Sequence, residues 1–223
     1  MPSFDKLPLK KQYIKYAIER SIKDPKAALL CLFLGIGKGM TMKEYSSAKK
    51  FVPINLMEKK MNRYHDSWQH VPTIYLLCTL KQPKIIVELG CRTGNTSIPM
   101  LKAASEYNGH VYSIDLEIWP ELNFIEQEPE LKKFWTFIQD NDLTMDWNKP
   151  IDYLHIDTDH TYEQVLQELQ KYEPLVSHGG FITFHDIYIE GVNAAIEDYF
   201  KDRQDVKKIR YFNNNGLMII FKQ

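Results

Sequence analysis

The sequence predicts a doubly wound α/β fold, in which helices cover both faces of a mostly parallel sheet. Three observations support this prediction. From Lys84 onward, short β-branched or aromatic runs alternate with amphipathic segments, the pattern of crossover units in a parallel sheet. A turn containing Gly90 and Gly94 follows the first of these runs. Asn213 to Gly216, between the last two runs, are typical of a hairpin, so we expect an antiparallel strand at the end of the sheet.

The first part of the chain has a different pattern. Residues 1–82 show helical periodicity without strand-like alternation, and we expect a helical cap or extension there. Residues 27–37 form an apolar run of 11 residues, which is shorter than the roughly 20 residues of a membrane-spanning helix. This run is predicted to be a buried helix, with a dimer interface as the alternative. Residues 83–223 would then form the α/β domain.

The elements of that domain follow in a regular order. The predicted strands are KIIVELG, HVYSIDL, FWTFIQ, IDYLHID, GGFITFHD, VKKIRYF and GLMIIFK. The predicted helices include TSIPMLKAAS, TYEQVLQELQKYEPL and VNAAIEDYFKD. Thr161 and Gln164 have the spacing of a helix-capping box. Residues 177–180, SHGG, are predicted to turn the chain into the strand FITFH.

Composition narrows the range of partners and compartments. The 28 Lys and Arg residues nearly balance 29 Asp and Glu residues, for a formal net charge of −1. This balance argues against nucleic acid or an anionic membrane as a partner. The three cysteines are widely spaced and odd in number, which favours free thiols in a reducing compartment. Because the N-terminus also lacks the layout of a secretory signal, we expect a soluble cytoplasmic protein.

The first glycine turn has features of a nucleoside-binding site. An apolar strand ends in Glu88, turns through Gly90 and Gly94, and reaches Thr96. Such a turn lets the backbone approach a ligand closely, and the next helix begins with outward N–H groups. Asp115 ends the following strand, at a spacing that suits a carboxylate holding ribose hydroxyls. The spacing is not GxGxxG, which argues against a dehydrogenase; a plain strand-to-helix turn is the alternative.

Five predicted strands end in a glycine or an acidic residue. In an open α/β sheet, ligands bind beyond the carboxyl ends of the strands. We therefore expect these five positions to meet at one edge and form a site. The positions are Gly90, Asp115, Asp140, Asp157 and Asp186.

A second cluster predicts a metal site. Asp157, Asp159 and His160 leave one strand, and His185 and Asp186 leave another. Neighbouring parallel strands lie about 4.8 Å apart, so these side chains can converge on one ion. Carboxylates suit Mg²⁺, and an imidazole extends the choice to Mn²⁺, Fe²⁺ or Zn²⁺. His160, at the mouth of this site, is a candidate general base.

Four segments resemble one enzyme class. VELGCRTGNTS, SID, DYLHIDTDHTYEQVLQEL, and SHGGFITFHDI followed by GV are similar to class I S-adenosylmethionine-dependent methyltransferases. Over roughly residues 84–222, the chain resembles the metal-dependent small-molecule O-methyltransferases. That group includes macrolide-sugar O-methyltransferases, cephalosporin hydroxylase-like proteins and, more distantly, catechol O-methyltransferase. The resemblance implies a seven-stranded Rossmann-like sheet and methyl transfer from S-adenosylmethionine to a small-molecule hydroxyl, assisted by a divalent cation.

The resemblance also implies roles for individual residues. The implied cofactor-binding residues are Glu88, Gly90, Gly94, Thr96, Asp115, Asn141 and Asp142, with Asp140 as a further candidate beside adenine. The implied metal ligands are Asp157, His185 and Asp186, and the implied base is His160. Arg92 stands where many methyltransferases have glycine, and His185 where an acidic ligand is usual. Tyr64, His65 and Trp68 would line the acceptor pocket.

Other interpretations stay open from the sequence. One is a metal-dependent enzyme of different chemistry on the same scaffold, and another is a cofactor-binding module without methyl transfer. Asp157 and Asp186 could be structural hydrogen-bonding carboxylates, and His160 an exposed residue beside a helix cap. His155, in the middle of a strand, is predicted to be a packed core histidine. The N-terminal helices would provide the interface of a homo-oligomer.

Overall fold

The structure, a computed structural model, describes Ser67, residues 70–211 and residues 215–223. The predictions for the apolar run at 27–37 and for Tyr64, His65 and Trp68 lie outside the described residues. Of residues 1–82, the structure describes Ser67 and residues 70–82, which include one helix, and the helical extension as a whole stays a prediction.

Helices and strands alternate along most of the described chain. The strands are β1 (Ile85–Leu89), β2 (His110–Asp115), β3 (Trp135–Gln139), β4 (Ile151–Ile156), β5 (Val176–His185), β6 (Val206–Tyr211) and β7 (Leu217–Lys222). The helices are α1 (Val71–Lys81), α2 (Ser97–Tyr107), α3 (Asn123–Glu126), α4 (Pro129–Lys132), α5 (Tyr162–Tyr172) and α6 (Glu190–Tyr199). Short 3₁₀ turns lie at Pro120–Leu122 and Glu173–Leu175.

The strands form one seven-stranded sheet in the order β3-β2-β1-β4-β5-β7-β6. Strands β1 to β5 are parallel to one another, and β7 lies antiparallel between β5 and β6. The predicted fold class, including the antiparallel C-terminal strand, is therefore confirmed. Strand order reverses between β1 and β4, so a crevice for a ligand is expected at their carboxyl ends.

Two apolar clusters, one on each face of the sheet, form the core. Ile74 and Leu101 of α1 and α2 pack with Tyr153, whereas Leu169 of α5 packs with Leu154. Because neighbouring residues of β4 belong to different clusters, the central strand is covered on both faces, as in a doubly wound sheet. Within the described ranges, no helix has the length and apolar character needed to cross a membrane.

Two local predictions of secondary structure are confirmed. The Thr161 hydroxyl accepts a hydrogen bond from the Gln164 backbone N–H at 3.3 Å, so the predicted N-cap of α5 is confirmed. The predicted hairpin is confirmed, since β6 and β7 pair with Tyr211 opposite Leu217.

The predicted turn at residues 177–180 is wrong in its position, because it lies inside β5. Val176 already pairs with Ile151, and the register shifts before Phe181 pairs with Tyr153. Gly179, with a φ of +81°, takes the left-handed conformation in this segment, so the extra residues bulge while the strand continues.

Candidate active site

The parallel register brings the predicted strand ends to one edge of the sheet. Leu89, at the end of β1, pairs with Ile114 of β2 and Ile156 of β4. A cavity of about 140 Å³ lies at this edge. Its lining includes, from the glycine turn, Gly90, Arg92 and Thr96, and, from the ends of β4 and β5, Asp157, His160 and Asp186.

The glycine turn is compact because two chain segments meet there. Gly90 has a φ of +76°, and a Cβ atom at this position would lie 2.2 Å from the carbonyl oxygen of Asp157. A side chain would therefore clash with backbone. Arg92, where a glycine is common, itself adopts a left-handed φ of +44°, so the turn forms without that glycine. Its guanidinium lies 5.9 Å from the centre of the Trp119 ring.

Glu88 lies beneath this turn and is fully buried. Its carboxylate accepts hydrogen bonds from the hydroxyls of Thr96 at 2.6 Å, Ser97 at 2.6 Å and Ser113 at 2.5 Å. Burial raises the pKa of Glu88 to about 7, although these hydroxyls act in the opposite direction. Glu88 therefore ties together β1, the start of α2 and β2. Its direct contact with a cofactor stays a prediction.

Asp115 also contacts the turn. Its Oδ2 accepts hydrogen bonds from the backbone N–H groups of Cys91 at 3.0 Å and Arg92 at 2.8 Å. Asp115 is half-buried, and the two residues that it contacts line the cavity. Asp115 therefore stabilises the turn in this structure, and its predicted contact with ribose hydroxyls is a separate property that stays a prediction.

The predicted adenine-side residues lie after β3. Asn141 is exposed, and its Oδ1 accepts a hydrogen bond from the Leu143 N–H at 2.9 Å. Asp142 is nearly buried, and its Oδ2 accepts a hydrogen bond from Gln164 Nε2 at 3.3 Å. Neither residue lines the cavity described above, and contact of either one with adenine stays a prediction.

Three side chains converge at the ends of β4 and β5. Ligand atoms of Asp157, His160 and Asp186 all lie within 4.8 Å of one another. His160 Nε2 lies 2.9 Å from Asp186 Oδ2 and 3.6 Å from Asp157 Oδ1. His185 lies behind this group, almost fully buried, with Nδ1 3.4 Å from Asp157 Oδ1 and 3.2 Å from Asp186 Oδ2. The structure thus brings together all four side chains that the sequence assigned to the metal and the base.

The charges of this cluster are coupled. Asp157 and Asp186 raise the pKa of His160 to about 10. Burial lowers the pKa of His185, but the same two carboxylates outweigh burial and raise it to about 10. Burial would also raise the pKa of Asp157 and Asp186, yet the two imidazoles hold both pKa values well below the usual range.

Two buried polar atoms of this cluster, His185 Nε2 and Asp186 Oδ1, have no hydrogen-bond partner among the described residues. His160 Nε2 and His185 Nδ1 instead face the carboxylates at the distances given above. Asp186 also has a left-handed φ of +55°, an uncommon conformation for a residue other than glycine. Converging oxygen and nitrogen atoms without hydrogen-bond partners are what a divalent cation would satisfy.

His155 is a core histidine, as predicted. It is fully buried in β4, and its Nδ1 lies 2.7 Å from the Thr183 hydroxyl of β5. Burial lowers the pKa of His155 to about 4, so the ring is neutral near pH 7.

Sequence reasoning missed other residues of the site. Ser67, Asn95 and Thr158 line the cavity, and Glu168 is fully buried behind Thr158. No motif marks Ser67, whereas Asn95 lies within VELGCRTGNTS and received no role there. Glu168 could have been identified from the sequence, because it is a charged residue on the apolar face of α5 that Val165, Leu169 and Tyr172 define.

Comparisons with known proteins agree with this fold. Residues 87–187 match a family described as "Methyltransferase domain". No curated protein matches the chain by sequence. Similar solved structures include the S-adenosylhomocysteine-bound methyltransferase PaMTH1 from Podospora anserina, with a TM-score of 0.59, 13% identity, and coverage of 81% of this chain and 94% of that chain.

Two O-methyltransferase structures are similar along nearly the whole chain. One is TomG from Streptomyces achromogenes in complex with S-adenosylmethionine, with a TM-score of 0.56, 14% identity, and coverage of 96% of this chain and 98% of that chain. The other is from Bacillus cereus in complex with S-adenosylhomocysteine, with a TM-score of 0.59, 12% identity, and coverage of 96% of this chain and 100% of that chain.

The fold class follows from the structural likeness, and the enzyme class follows from the family match. The structural likeness shows the fold of the class I, S-adenosylmethionine-dependent methyltransferases. The match over residues 87–187 shows a methyltransferase domain, and the predicted enzyme class is confirmed.

Proposed function

We propose that this protein transfers a methyl group from S-adenosylmethionine to the hydroxyl of a small molecule, and that a divalent cation assists the transfer. The observation that carries the proposal is the convergence of Asp157, His160 and Asp186 at one edge of the sheet, beside the cavity under the glycine turn. The O-methyltransferases of similar fold support an oxygen atom as the acceptor.

The donor set fits a cation. Two carboxylates and two imidazoles offer oxygen and nitrogen ligands. Two of these buried atoms, His185 Nε2 and Asp186 Oδ1, have no hydrogen-bond partner within the described chain. Carboxylate oxygen favours Mg²⁺, while imidazole also accepts Mn²⁺, Fe²⁺ or Zn²⁺. We propose Asp157, Asp186 and His185 as the residues that hold the cation.

The glycine turn fits the methionine part of the cofactor. Gly90 leaves space where a side chain would clash, and the hydroxyl of Thr96 is held by Glu88 at the start of α2. Asp115, at the end of β2, would hold the ribose hydroxyls, and the residues after β3 would border adenine.

The chemistry divides between the bound groups and the chain. The cofactor supplies an electrophilic methyl group when bound, and a bound cation lowers the pKa of an acceptor hydroxyl. The chain aligns the two reactants, an effect worth roughly 7–11 kcal/mol in the best intramolecular reactions. The His160 side chain is partly exposed at the cavity mouth. Its pKa of about 10 keeps the ring protonated in the cation-free protein, and once a bound cation has displaced that proton the imidazole would take the proton of the acceptor hydroxyl.

The first test separates cation-assisted catalysis from cofactor binding. We expect the wild type to methylate members of a library of hydroxyl compounds with isotope-labelled S-adenosylmethionine, and to lose activity with a chelator. Asp157→Asn should lower turnover by about 100-fold or more, since a cation supplies several kcal/mol of stabilisation. Affinity for S-adenosylhomocysteine, measured by calorimetry, should change less than about threefold, because Asp157 holds the cation and not the cofactor.

Asp159→Asn is the matched control, because Asp159 is an exposed carboxylate two residues along the same loop. This variant should behave like the wild type. Unchanged turnover in Asp157→Asn would remove the catalytic cation from the proposal. Absence of S-adenosylhomocysteine binding by the wild type would overturn the proposal as a whole.

A second test concerns His160 as base or ligand. His160→Gln should lower turnover by about 10²-fold or more, because proton transfer typically contributes 10²–10⁴-fold. Mn²⁺ affinity near pH 7, measured by electron paramagnetic resonance, should not fall and should rise, because we assign His160 no ligand role and glutamine removes the protonated ring that competes with the cation for Asp186. A parallel loss of Mn²⁺ affinity would instead make His160 a metal ligand.

A metal-dependent enzyme of different chemistry is the second candidate. The two imidazoles beside the carboxylates favour it, because nitrogen donors suit redox-active ions as well as Mg²⁺. Product without formation of S-adenosylhomocysteine would support this candidate and contradict methyl transfer.

A further inference from the structure

Glu168 is a buried carboxyl group outside the set of residues assigned above. It lies on the inner face of α5, fully buried next to Leu169. Burying a carboxyl group without partners costs several kcal/mol or more, so its contacts indicate what it does.

The contacts of Glu168 reach two neighbouring groups. Its Oε1 accepts hydrogen bonds from the Thr158 hydroxyl at 2.5 Å and from Gln164 Nε2 at 2.8 Å. Gln164 Nε2 also lies 3.3 Å from Asp142 Oδ2. The second oxygen of Glu168, Oε2, is buried and has no hydrogen-bond partner among the described residues.

These contacts connect the two sides of the proposed cofactor site. Asp142 belongs to the segment after β3, on the predicted adenine side. Thr158 belongs to the segment after β4, directly follows Asp157, and lines the cavity. Its Cα would lie 3.1 Å from a Cβ placed on Gly90, so Thr158 also presses against the glycine turn. A change at Glu168 would therefore be transmitted to both segments.

We propose that Glu168 is a positioning residue that holds the Thr158 and Asp142 segments in place for binding of the cofactor and the cation. This inference rests on the proposed function, because it assumes that both bind at this edge of the sheet. Glu168 touches neither the cavity nor the metal cluster and acts through Thr158 and Gln164.

The protonation state of Glu168 determines which substitutions conserve this role. Burial raises the pKa of Glu168 well above its usual range, and the neighbouring Asp142 raises it further. A neutral carboxyl group accepts hydrogen bonds through one oxygen and donates through the other. Glutamine has the same capacity, since its carbonyl accepts and its amide donates.

Calorimetry with S-adenosylhomocysteine and titration with Mn²⁺ alone test the proposal. Glu168→Ala should weaken S-adenosylhomocysteine binding about tenfold and Mn²⁺ binding by a similar factor, because Thr158 and Gln164 lose their acceptor. Glu168→Gln should keep both affinities within about threefold of the wild type. Glu163→Ala and Glu163→Gln, exposed on the same helix, are matched controls that should leave both affinities unchanged.

The outcomes for the variants test the role of Glu168, whereas the outcome for the wild type tests the proposed function. Unchanged affinities in a folded Glu168→Ala variant would overturn it, and so would a loss in Glu168→Gln as large as in Glu168→Ala. Should Glu168→Ala fail to fold, Thr158→Val removes only the donor hydroxyl and should weaken S-adenosylhomocysteine binding about fivefold; no change would overturn the proposal. A wild type that binds no S-adenosylhomocysteine would contradict the proposed function first, and this inference with it.

Discussion

Two individual side chains stabilise the glycine turn: Glu88 is buried beneath it, and Asp115 accepts hydrogen bonds from two of its backbone N–H groups. Glu88 receives three hydroxyl hydrogen bonds in a fully buried position, and Ser113 in turn accepts one from Trp135 Nε1 at 3.0 Å. The sequence indicates Glu88 because it ends an apolar strand. Its burial depends on Thr96, Ser97 and Ser113, which reach the same carboxylate from α2 and β2.

This burial predicts a pH dependence of stability. The pKa of Glu88 rises from 4.5 to about 7 on folding, so between these pH values the native state binds more protons than the unfolded state. The favourable contribution of the neutral carboxyl group is therefore present below pH 4.5 and lost as the pH rises through 7. The loss is on the order of 3 kcal/mol.

Glu88→Gln should remove this dependence. Its free energy of unfolding, from urea denaturation, should decline less than that of the wild type between about pH 5 and about pH 8. Glu163→Gln, at an exposed position, should keep the wild-type slope. Identical slopes for Glu88→Gln and the wild type would show that Glu88 does not titrate in this range.

At the scale of elements, the candidate site depends on how closely the segments after β1 and β4 approach each other. The turn after β1 and the segment after β4 are in contact at Gly90, where the Asp157 carbonyl leaves no space for a Cβ atom. The spacing of glycines in the sequence predicts the turn itself. The identity of the segment that packs against it follows from the pairing of β1 with β4, whose residues lie more than 60 positions apart.

Two glycine substitutions separate backbone strain from this packing. Gly90 and Gly179 both have left-handed φ values, +76° and +81°, but a Cβ on Gly179 would meet nothing within 4 Å. Gly179→Ala should therefore cost only the strain of about 1–2 kcal/mol. Gly90→Ala should cost at least about 2 kcal/mol more, since backbone must also move, and should abolish binding of S-adenosylhomocysteine.

Thermal melting and calorimetry of both variants provide the measurements. Equal losses of stability in Gly90→Ala and Gly179→Ala would show that the segment after β4 moves aside at little cost in free energy. Retained S-adenosylhomocysteine binding in Gly90→Ala would contradict the role assigned to the turn.

At the scale of the whole molecule, the sheet brings the proposed metal ligands and the proposed base together. Asp157 and His160 come from the end of β4, and His185 and Asp186 from the end of β5, which pairs with β4 in parallel. Without a cation, two imidazoles balance the two carboxylates. A bound cation would take over that role.

Because a bound cation would replace the positive charge of the imidazoles, we expect cation binding to depend on pH. The carboxylates raise the pKa of His160 to about 10, so near pH 7 the ring is protonated and opposes a cation. The stabilising ion pair of the cation-free protein is complete below pH 6.5, the ordinary pKa of histidine, and is lost as the pH rises through 10. Mn²⁺ should therefore bind with release of protons, and more tightly as the pH rises.

Thermal melting with saturating Mn²⁺ or with chelator measures this effect. The increase in melting temperature caused by Mn²⁺ should be larger at about pH 9 than at about pH 6. Asp159→Asn should show the same trend. An increase that does not depend on pH would mean that no proton leaves the cluster when the cation binds.

The predictions made from sequence succeeded where local patterns decide the outcome. Alternating apolar runs predicted the strands, Thr161 predicted the cap of α5, and the residues after β6 predicted the hairpin. The misplaced turn at residues 177–180 shows the limit, because a bulge and a turn contain the same residue types. Pairing of Val176 with Ile151, a contact distant in the chain, makes the difference.

What the sequence by itself determined is the fold class, the edge of the sheet at which the candidate site lies, and the acidic and histidine residues placed there. These follow from side-chain periodicity and from the shared direction of parallel strands. Only the tertiary structure decided that Glu88 is buried under the turn, that His185 lies behind the two carboxylates, and that Glu168 connects two segments of the site. Burial and hydrogen bonding of a charged group depend on partners from other elements, and no local pattern specifies which of them will meet.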